Sequence, residues 1–180
     1  MVSAIDKTGA PLWDVCPVFA SKTHFHLLTT QIAEHYNDKN IDAVLALDAL
    51  GLPLGGAVAT ALQTGLILVR KGGKLNLPAN RKTFLSFKDY PEKEKDLETL
   101  EVRSELIARG SRILVVDEWM GTGAQMNAAA KIVEGLGGVV AGMACLYCFP
   151  DAELNMQLKE KYDLWSANCL KCTYFECRCK

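Results

Sequence analysis

The sequence predicts an α/β fold in which a central, mostly parallel β-sheet is covered by helices on both faces. Short, continuous apolar runs alternate with helical patterns along the chain, as is typical of parallel strands buried on both faces. Of the 180 residues, 49% are hydrophobic and 23% charged, which is the composition of a globular protein and argues against a disordered one. At roughly 150 residues per domain, we expect a single domain spanning residues 1–180.

Four apolar runs predict the strands of the sheet, over 43–47, 66–69, 112–116 and 139–146. Apolar spacings of three and four predict a helix over 25–36, and a run rich in alanine predicts another over 57–63. A further helix is predicted from about Met126 to the glycines at 135–138, which are typical of a helix end.

Residues 76–99 interrupt this alternation, and residues 88–96 are almost all charged. Such a stretch cannot enter a core, so one interpretation is a solvated connection. The other is a mobile lid that closes over a ligand, because long loops inside compact α/β domains are often lids.

Charge and hydropathy exclude several classes of function. The formal net charge is −1, which offers no overall attraction to nucleic acid or to an anionic membrane. No apolar run approaches the ~18 residues that a spanning helix needs, and residues 1–12 lack the apolar centre of a signal peptide. We therefore expect a soluble, cytoplasmic protein.

Seven cysteines, an odd number, favour a reducing compartment over a disulfide framework. Four lie in the tail at 169–180 and could hold zinc, namely Cys169, Cys172, Cys177 and Cys179. The alternative is a tail of reduced thiols. Cys145 and Cys148 lie in a predicted strand, where alternation predicts that their thiols point to opposite faces.

The segment 113–125 carries the clearest chemical signal. Asp117 and Glu118 follow a buried strand, and a Gly-Thr-Gly turn at 121–123 leads into a helix. Such a turn presents backbone N–H groups and a positive helix end to a phosphate. Acids beside a phosphate are favourable where they accept hydrogen bonds from hydroxyl groups, so the segment indicates a sugar phosphate. A polar turn with incidental acids is the alternative; neither a Walker A loop nor a dinucleotide turn matches.

Segment 115–125 resembles the phosphoribosyl diphosphate (PRPP) signature of type I phosphoribosyltransferases: an apolar strand, two acids, two apolar residues and a Thr-Gly loop. The resemblance covers most of the chain and is nearest to the adenine phosphoribosyltransferases. Further similar segments occur in the family's order, at 13–17, 47–51, 68–75, 100–102 and 126–129.

The resemblance implies a role for each matching position. The ribose hydroxyls would bind Asp117 and Glu118, which are the catalytic candidates. The 5′-phosphate would bind Gly121, Thr122, Gly123, Ala124 and Gln125. The diphosphate would meet Asp48, Ala49, Leu50, Arg70 and Lys74, with Mg²⁺ bridging ligand oxygens. The purine would lie in a small base-binding hood formed by Leu12, Trp13 and Phe149. The resemblance also implies a lid over 76–99 and a homodimer.

Four departures from the family pattern concern the site. Leu50 stands where the family carries an arginine, so a bidentate clamp on the diphosphate is missing. Glu118 replaces an aspartate, Trp13 replaces an arginine, and the phosphate loop ends in Gly-Ala-Gln instead of Gly-Gly-Thr.

The resemblance implies a purine phosphoribosyltransferase that takes PRPP and adenine or a close analogue, and forms the nucleoside 5′-monophosphate and diphosphate. Two alternatives stay open: a catalytically idle sensor of nucleotide or PRPP on the same fold, and an enzyme of altered reaction on this scaffold.

Overall fold

A computed structural model describes residues 2–5, 11–88, 97–149 and 152–167. The larger of its two sheets has seven strands in the order β5-β6-β4-β3-β7-β8-β9. Its strands are β3 (Ala43–Leu47), β4 (Gly65–Lys71), β5 (Lys82–Lys88), β6 (Leu97–Arg103), β7 (Arg112–Met120), β8 (Val139–Cys148) and β9 (Leu164–Ser166). Strands β4, β3, β7, β8 and β9 are parallel, whereas β5 and β6 are antiparallel. The predicted fold class is confirmed.

Helices cover both faces of this sheet. They are α1 (Cys16–Ala20), α2 (Lys22–Tyr36), α3 (Gly51–Ala61), α4 (Ala124–Gly135) and α5 (Glu153–Lys161). One core lies between the sheet and α1, α2 and α3, and the other between the sheet, α4 and α5. None of the helices in the described ranges combines the length and apolar character needed to cross a bilayer.

A separate two-stranded antiparallel sheet joins β1 (Val2–Ile5) to β2 (Pro11–Asp14). Leu12 and Trp13, two predicted base-binding residues, lie in β2 and pair with Ala4 and Ser3. Their side chains are outside the described part of the structure, so their contact with a base stays a prediction.

Helix α3 begins six residues before the predicted position. Pro53 lies in its first turn, where a helix tolerates proline because no intrahelical bond is lost. At Gly55, a Cβ atom would lie within 2.4 Å of the Ala46 Cβ, so glycine lets the helix approach β3. Packing against the sheet therefore outweighs the poor helix propensity of these glycines.

Part of the predicted connection over 76–99 is regular structure. Strands β5 and β6 pair antiparallel along their whole length, from Lys82 opposite Arg103 to Lys88 opposite Leu97. Leu85 and Phe87 pack against the core, whereas Phe84 and Ser86, which alternate with them, are exposed. This period of two is typical of a strand with one buried face, and the charged neighbours obscure it in the sequence. Residues 89–96 lie outside the described ranges, so the lid stays a prediction.

The prediction that Cys145 and Cys148 face apart is wrong. Both are buried in the same core cluster, and a hydrogen bond between their thiols raises the pKa of Cys145. Simple alternation would place two residues three apart on opposite faces of the sheet, so the alternation of side chains is interrupted between Cys145 and Cys148. The alternation is also interrupted in the paired strand β7, because Val115 and Met120, five residues apart, share that cluster.

Candidate active site

A cavity of about 430 Å³ opens at the carboxyl ends of β3, β4 and β7, where ligands bind in open α/β sheets. Its described lining consists of Asp48, Ala49, Lys71, Lys74, Asp117, Glu118, Trp119, Met120, Gly121, Gly123, Gln125 and Met126. Residues predicted to bind a sugar phosphate from three separate segments of the chain therefore meet at one place.

The predicted phosphate loop forms the turn between β7 and α4. Gly123 adopts the left-handed conformation with φ of +84° and precedes the first residue of α4. The Thr122 hydroxyl accepts a hydrogen bond of 3.2 Å from the Ala124 N–H, which braces the turn. Gly121, Gly123 and Gln125 line the cavity, whereas Thr122 and Ala124 are absent from its described lining. The positive end of α4 thus points toward the space that a phosphate would fill.

The two acids lie inside β7, which runs four residues beyond its predicted end at Val116. Asp117 is 3% exposed, and its Oδ1 accepts a hydrogen bond of 2.9 Å from the Glu118 N–H. Burial and the adjacent Glu118 side chain raise the pKa of Asp117 well above its ordinary value.

Glu118 is the more available acceptor of the pair. Its Oε2 is buried and accepts no hydrogen bond from any of the described residues. A buried acceptor without a donor is unfavourable, so this oxygen is suited to a ligand hydroxyl.

Asp48, the first residue after β3, also lines the cavity and binds two of the predicted diphosphate cations. Its Oδ2 lies 3.1 Å from Arg70 Nε and 3.2 Å from Lys74 Nζ. Burial alone would raise the pKa of Asp48, but the hydrogen bonds from Arg70 and Lys74 outweigh it and the pKa is lowered. Both cations are therefore partly neutralised by the protein itself.

Two of the predicted diphosphate residues lie outside the described lining of the cavity, so their contact with a diphosphate stays a prediction. Arg70 lies beside Asp48 but is absent from the described lining of the cavity, whereas Lys71, the next residue, lines it. Leu50 precedes the first residue of α3, is 36% exposed and does not line the cavity either. Asp48, Ala49 and Lys74 line the cavity.

An aromatic cluster borders the cavity on the side of β8. Trp119 stacks on Tyr147 with ring centroids 4.7 Å apart, and Phe149 packs edge-on against Trp119 at 5.3 Å. Phe149, the predicted base-binding residue, is 36% exposed and lies beside the cavity; Trp119 lines it. Trp119 is thus the member of this aromatic cluster that faces the cavity, and the contact of Phe149 with a base stays a prediction.

Sequence reasoning did not identify Asn155 in α5, because neither α5 nor its packing on the phosphate loop is visible in the pattern. Its amide nitrogen donates to backbone oxygens of Met120, Gly121 and Phe149. The residue is 3% exposed. A buried, multiply bonded asparagine is detectable only once the fold brings its partners together.

No group of three or more His, Cys, Asp or Glu side chains suited to a metal occurs among the described residues. The four cysteines of the predicted zinc site lie outside those ranges.

Comparison with known proteins agrees with this geometry. Residues 20–176 match the family model described as a phosphoribosyl transferase domain. The chain is 37% identical to an adenine phosphoribosyltransferase of Acidobacterium capsulatum, over 77% of this chain and 72% of the relative. It is 34% identical to the adenine phosphoribosyltransferase of Chlorobium phaeobacteroides, over 89% of this chain and 88% of the relative. The crystal structure of adenine phosphoribosyltransferase from Thermoanaerobacter pseudethanolicus superposes with a TM-score of 0.77 at 28% identity, covering 88% of this chain and 87% of that one. The chain therefore belongs to the phosphoribosyl transferase domain family and is a phosphoribosyltransferase.

Proposed function

We propose that this phosphoribosyltransferase joins adenine to the ribose of PRPP, releasing diphosphate and forming adenosine 5′-monophosphate (AMP). The observation that carries the proposal is the meeting of Asp117, Glu118 and the 121–125 turn in one cavity. The choice of adenine is supported by the two curated relatives, which are both adenine phosphoribosyltransferases.

In this reaction the 5′-phosphate binds the N–H groups of the 121–125 turn, and the ribose hydroxyls donate to Glu118 and Asp117. The bond from C1′ to the diphosphate oxygen breaks, and its electron pair leaves with the diphosphate. A ring nitrogen of adenine forms the new bond to C1′ and releases its proton to the solvent. The acids stabilise the positive charge that develops on the ribose, and Lys71 and Lys74 face the departing anion.

Magnesium is proposed as the partner ion of PRPP. Mg²⁺ prefers oxygen ligands and keeps several water molecules, so the carboxylates of Asp117 and Glu118 would hold the ion or its water molecules beside PRPP. When bound, the ion would neutralise charge on the diphosphate as it leaves.

A homodimer is proposed as well. Leu66 and Leu68 of β4, together with Phe84 and Leu97 of the antiparallel strands, are large apolar side chains exposed on the described surface. Exposed apolar side chains of this kind favour association. Light scattering coupled to size exclusion measures the mass directly.

A cytoplasmic location is proposed on the seven cysteines, an odd number suited to a reducing compartment.

The test of the proposed function is diphosphate release from PRPP and Mg²⁺ with adenine, hypoxanthine, guanine or uracil supplied singly. We expect release with adenine, accompanied by AMP in the mass spectrum. Asp163→Asn, on the surface beside His35, is the control that should keep full activity. Absence of diphosphate with every base would contradict the proposal.

One observation favours a second candidate, a nucleotide-binding protein without turnover. Leu50 replaces the arginine clamp, and Asp48 holds both Arg70 and Lys74. Calorimetry separates the two functions, because a sensor binds AMP or PRPP without releasing diphosphate.

A further inference from the structure

We propose that Asn155 is a positioning residue that fixes the phosphate loop relative to the base-side end of β8. The inference rests on the proposed function, because it assigns the two segments to opposite ends of one nucleotide. Asn155 itself lines no part of the described cavity. It acts through the backbone of the residues that do.

The contacts of the Asn155 amide join two separate segments. Its Nδ2 lies 3.2 Å from the Met120 oxygen, 2.8 Å from the Gly121 oxygen and 2.9 Å from the Phe149 oxygen. Met120 is the last residue of β7 and Gly121 begins the phosphate loop, whereas Phe149 follows β8. A backbone hydrogen bond of 3.0 Å from the Phe149 N–H to the Met120 oxygen completes the junction.

The chemistry of the site specifies an uncharged donor. An NH₂ group provides two hydrogens to a set of carbonyl acceptors, whereas a carboxylate would repel all three oxygens. The other amide atom, Oδ1, is buried and accepts no hydrogen bond within the described structure. The hydrogen bonds that Asn155 makes here are thus those that its amide nitrogen donates.

The phosphate loop is shaped around this side chain. A Cβ atom at Gly123 would lie within 2.3 Å of Asn155 Oδ1, so only glycine allows the turn to pass so close. Gly123 also needs its positive φ, and the two constraints act at the same residue. The geometry of the loop and the position of Asn155 therefore depend on each other.

The consequence is a fixed spacing between the two ends of a bound nucleotide. The 5′-phosphate is assigned to the loop that Gly121 opens, and the base to the cluster containing Phe149 and Trp119. If the amide is lost, only the backbone hydrogen bond from Phe149 to Met120 joins the two segments there, so their spacing is held less firmly and a ligand that spans both binds less well. Asn155 touches no reacting atom, so we expect KM for PRPP to rise more than kcat falls.

The decisive variants are Asn155→Asp and Asn155→Ala, with Leu158→Ala as the control. Asn155→Asp keeps the shape of the side chain but removes its N–H donors, and Asn155→Ala removes both the shape and the donors. Leu158 is buried on the same helix and makes apolar contacts with the core, so its loss destabilises the protein without removing these hydrogen bonds. AMP affinity by calorimetry, KM and kcat for PRPP, and backbone hydrogen exchange over 120–125 and at 149 are measured for each.

Both Asn155 variants should weaken AMP binding about tenfold, as expected for lost buried hydrogen bonds, and raise KM for PRPP similarly while kcat changes less than threefold. Hydrogen exchange over the loop and at Phe149 should accelerate, and Leu158→Ala should leave both readouts near wild type. Asn155→Asp binding AMP as well as the wild type would overturn the proposal, and so would equal effects from Leu158→Ala. If Asn155→Ala does not fold, the results for Asn155→Asp test the proposal alone. If the wild-type protein binds AMP but releases no diphosphate, the proposed reaction is contradicted. The hydrogen exchange and AMP affinity of the variants then still test the positioning role of Asn155.

Discussion

The Gln125 side chain donates a hydrogen bond of 3.0 Å from Nε2 to Oδ2 of Asp117. The contact joins the first turn of α4 to the buried acid of β7, so the phosphate loop and the predicted hydroxyl-binding residue are coupled. With Oδ1 already bonded to the Glu118 N–H, both oxygens of Asp117 have a protein donor. Glu118 is accordingly the acid that can receive a ligand hydroxyl without displacing a protein group.

Gln125→Glu tests this coupling. The substitution replaces the donor by a third carboxylate beside Asp117 and Glu118, in a site that must accept an anion. A hydrogen bond to a charged group is worth about 1.5–3 kcal/mol, so we expect AMP affinity by calorimetry to fall at least tenfold. Gln157→Glu, an equal charge change at an exposed position of α5, should leave AMP affinity unchanged. Unchanged affinity in Gln125→Glu would remove this residue from the site.

Asp117→Asn should lower kcat/KM for PRPP several-fold or more, because it weakens one charge-assisted acceptor worth about 1.5–3 kcal/mol. Steady-state rates of diphosphate release measure the loss. Asp163→Asn, away from the cavity, should keep the wild-type rate. An unaltered kcat/KM in Asp117→Asn would show that this acid does not hold the ribose.

The same variant should change how stability depends on pH. The folded pKa of Asp117 is raised above 3.8 by burial and by Glu118, so the folded protein binds more protons than the unfolded chain above that pH. Stability is therefore lost as pH rises from about 4 through the raised pKa. Urea unfolding at pH 5 and pH 8 should show Asp117→Asn gaining stability over wild type at the higher pH. A difference that is the same at both values would contradict the assigned shift.

The pKa of Asp48 is shifted in the opposite direction. It is lowered below 3.8, so its contribution to stability is complete above that value and is lost as pH falls through the folded pKa. Asp48→Asn should lose about 2 kcal/mol near pH 7, as for hydrogen bonds to a charged group. Urea unfolding from pH 7 to pH 3 should show the deficit shrink as the medium becomes acidic. Glu105→Gln, which removes exposed pairs with Arg81 and Arg103, is the comparison and should change stability little.

Leu50→Arg should raise the affinity for diphosphate and PRPP about tenfold if the missing clamp limits binding, since a bidentate charged contact is worth about 1.5–3 kcal/mol. Calorimetry with diphosphate measures the gain. Leu27→Arg adds the same charge at an exposed position of α2, away from the cavity, and should give none. Without a gain in Leu50→Arg, the loop is built for a different ligand.

Much of this architecture follows from the sequence. The apolar runs of β3, β7 and β8 predict parallel strands because their burial on both faces leaves a continuous hydrophobic signal. The run of β4 gives the same signal although Leu66 and Leu68 are exposed. Asp117, Glu118 and the glycine turn are recognisable because they occupy one short segment whose chemistry is local.

The features that sequence reasoning misplaced depend on tertiary contacts. The interrupted alternation that brings Cys145 and Cys148 together arises jointly in two paired strands, so neither strand's pattern reveals it. The early start of α3 depends on Gly55 packing against Ala46. The hydrogen bond from Arg70 to Asp48 joins two strand ends and is likewise invisible in the sequence, so the role of Arg70 toward a diphosphate stays a prediction.

The most direct test of the central claim is a crystal structure with AMP bound. We expect the phosphate oxygens within ~3 Å of backbone nitrogens of the 121–125 turn, the ribose hydroxyls on Glu118 and Asp117, and the base against Trp119 and Phe149. A phosphate bound instead at Lys71 and Lys74, with the ribose away from both acids, would contradict the account.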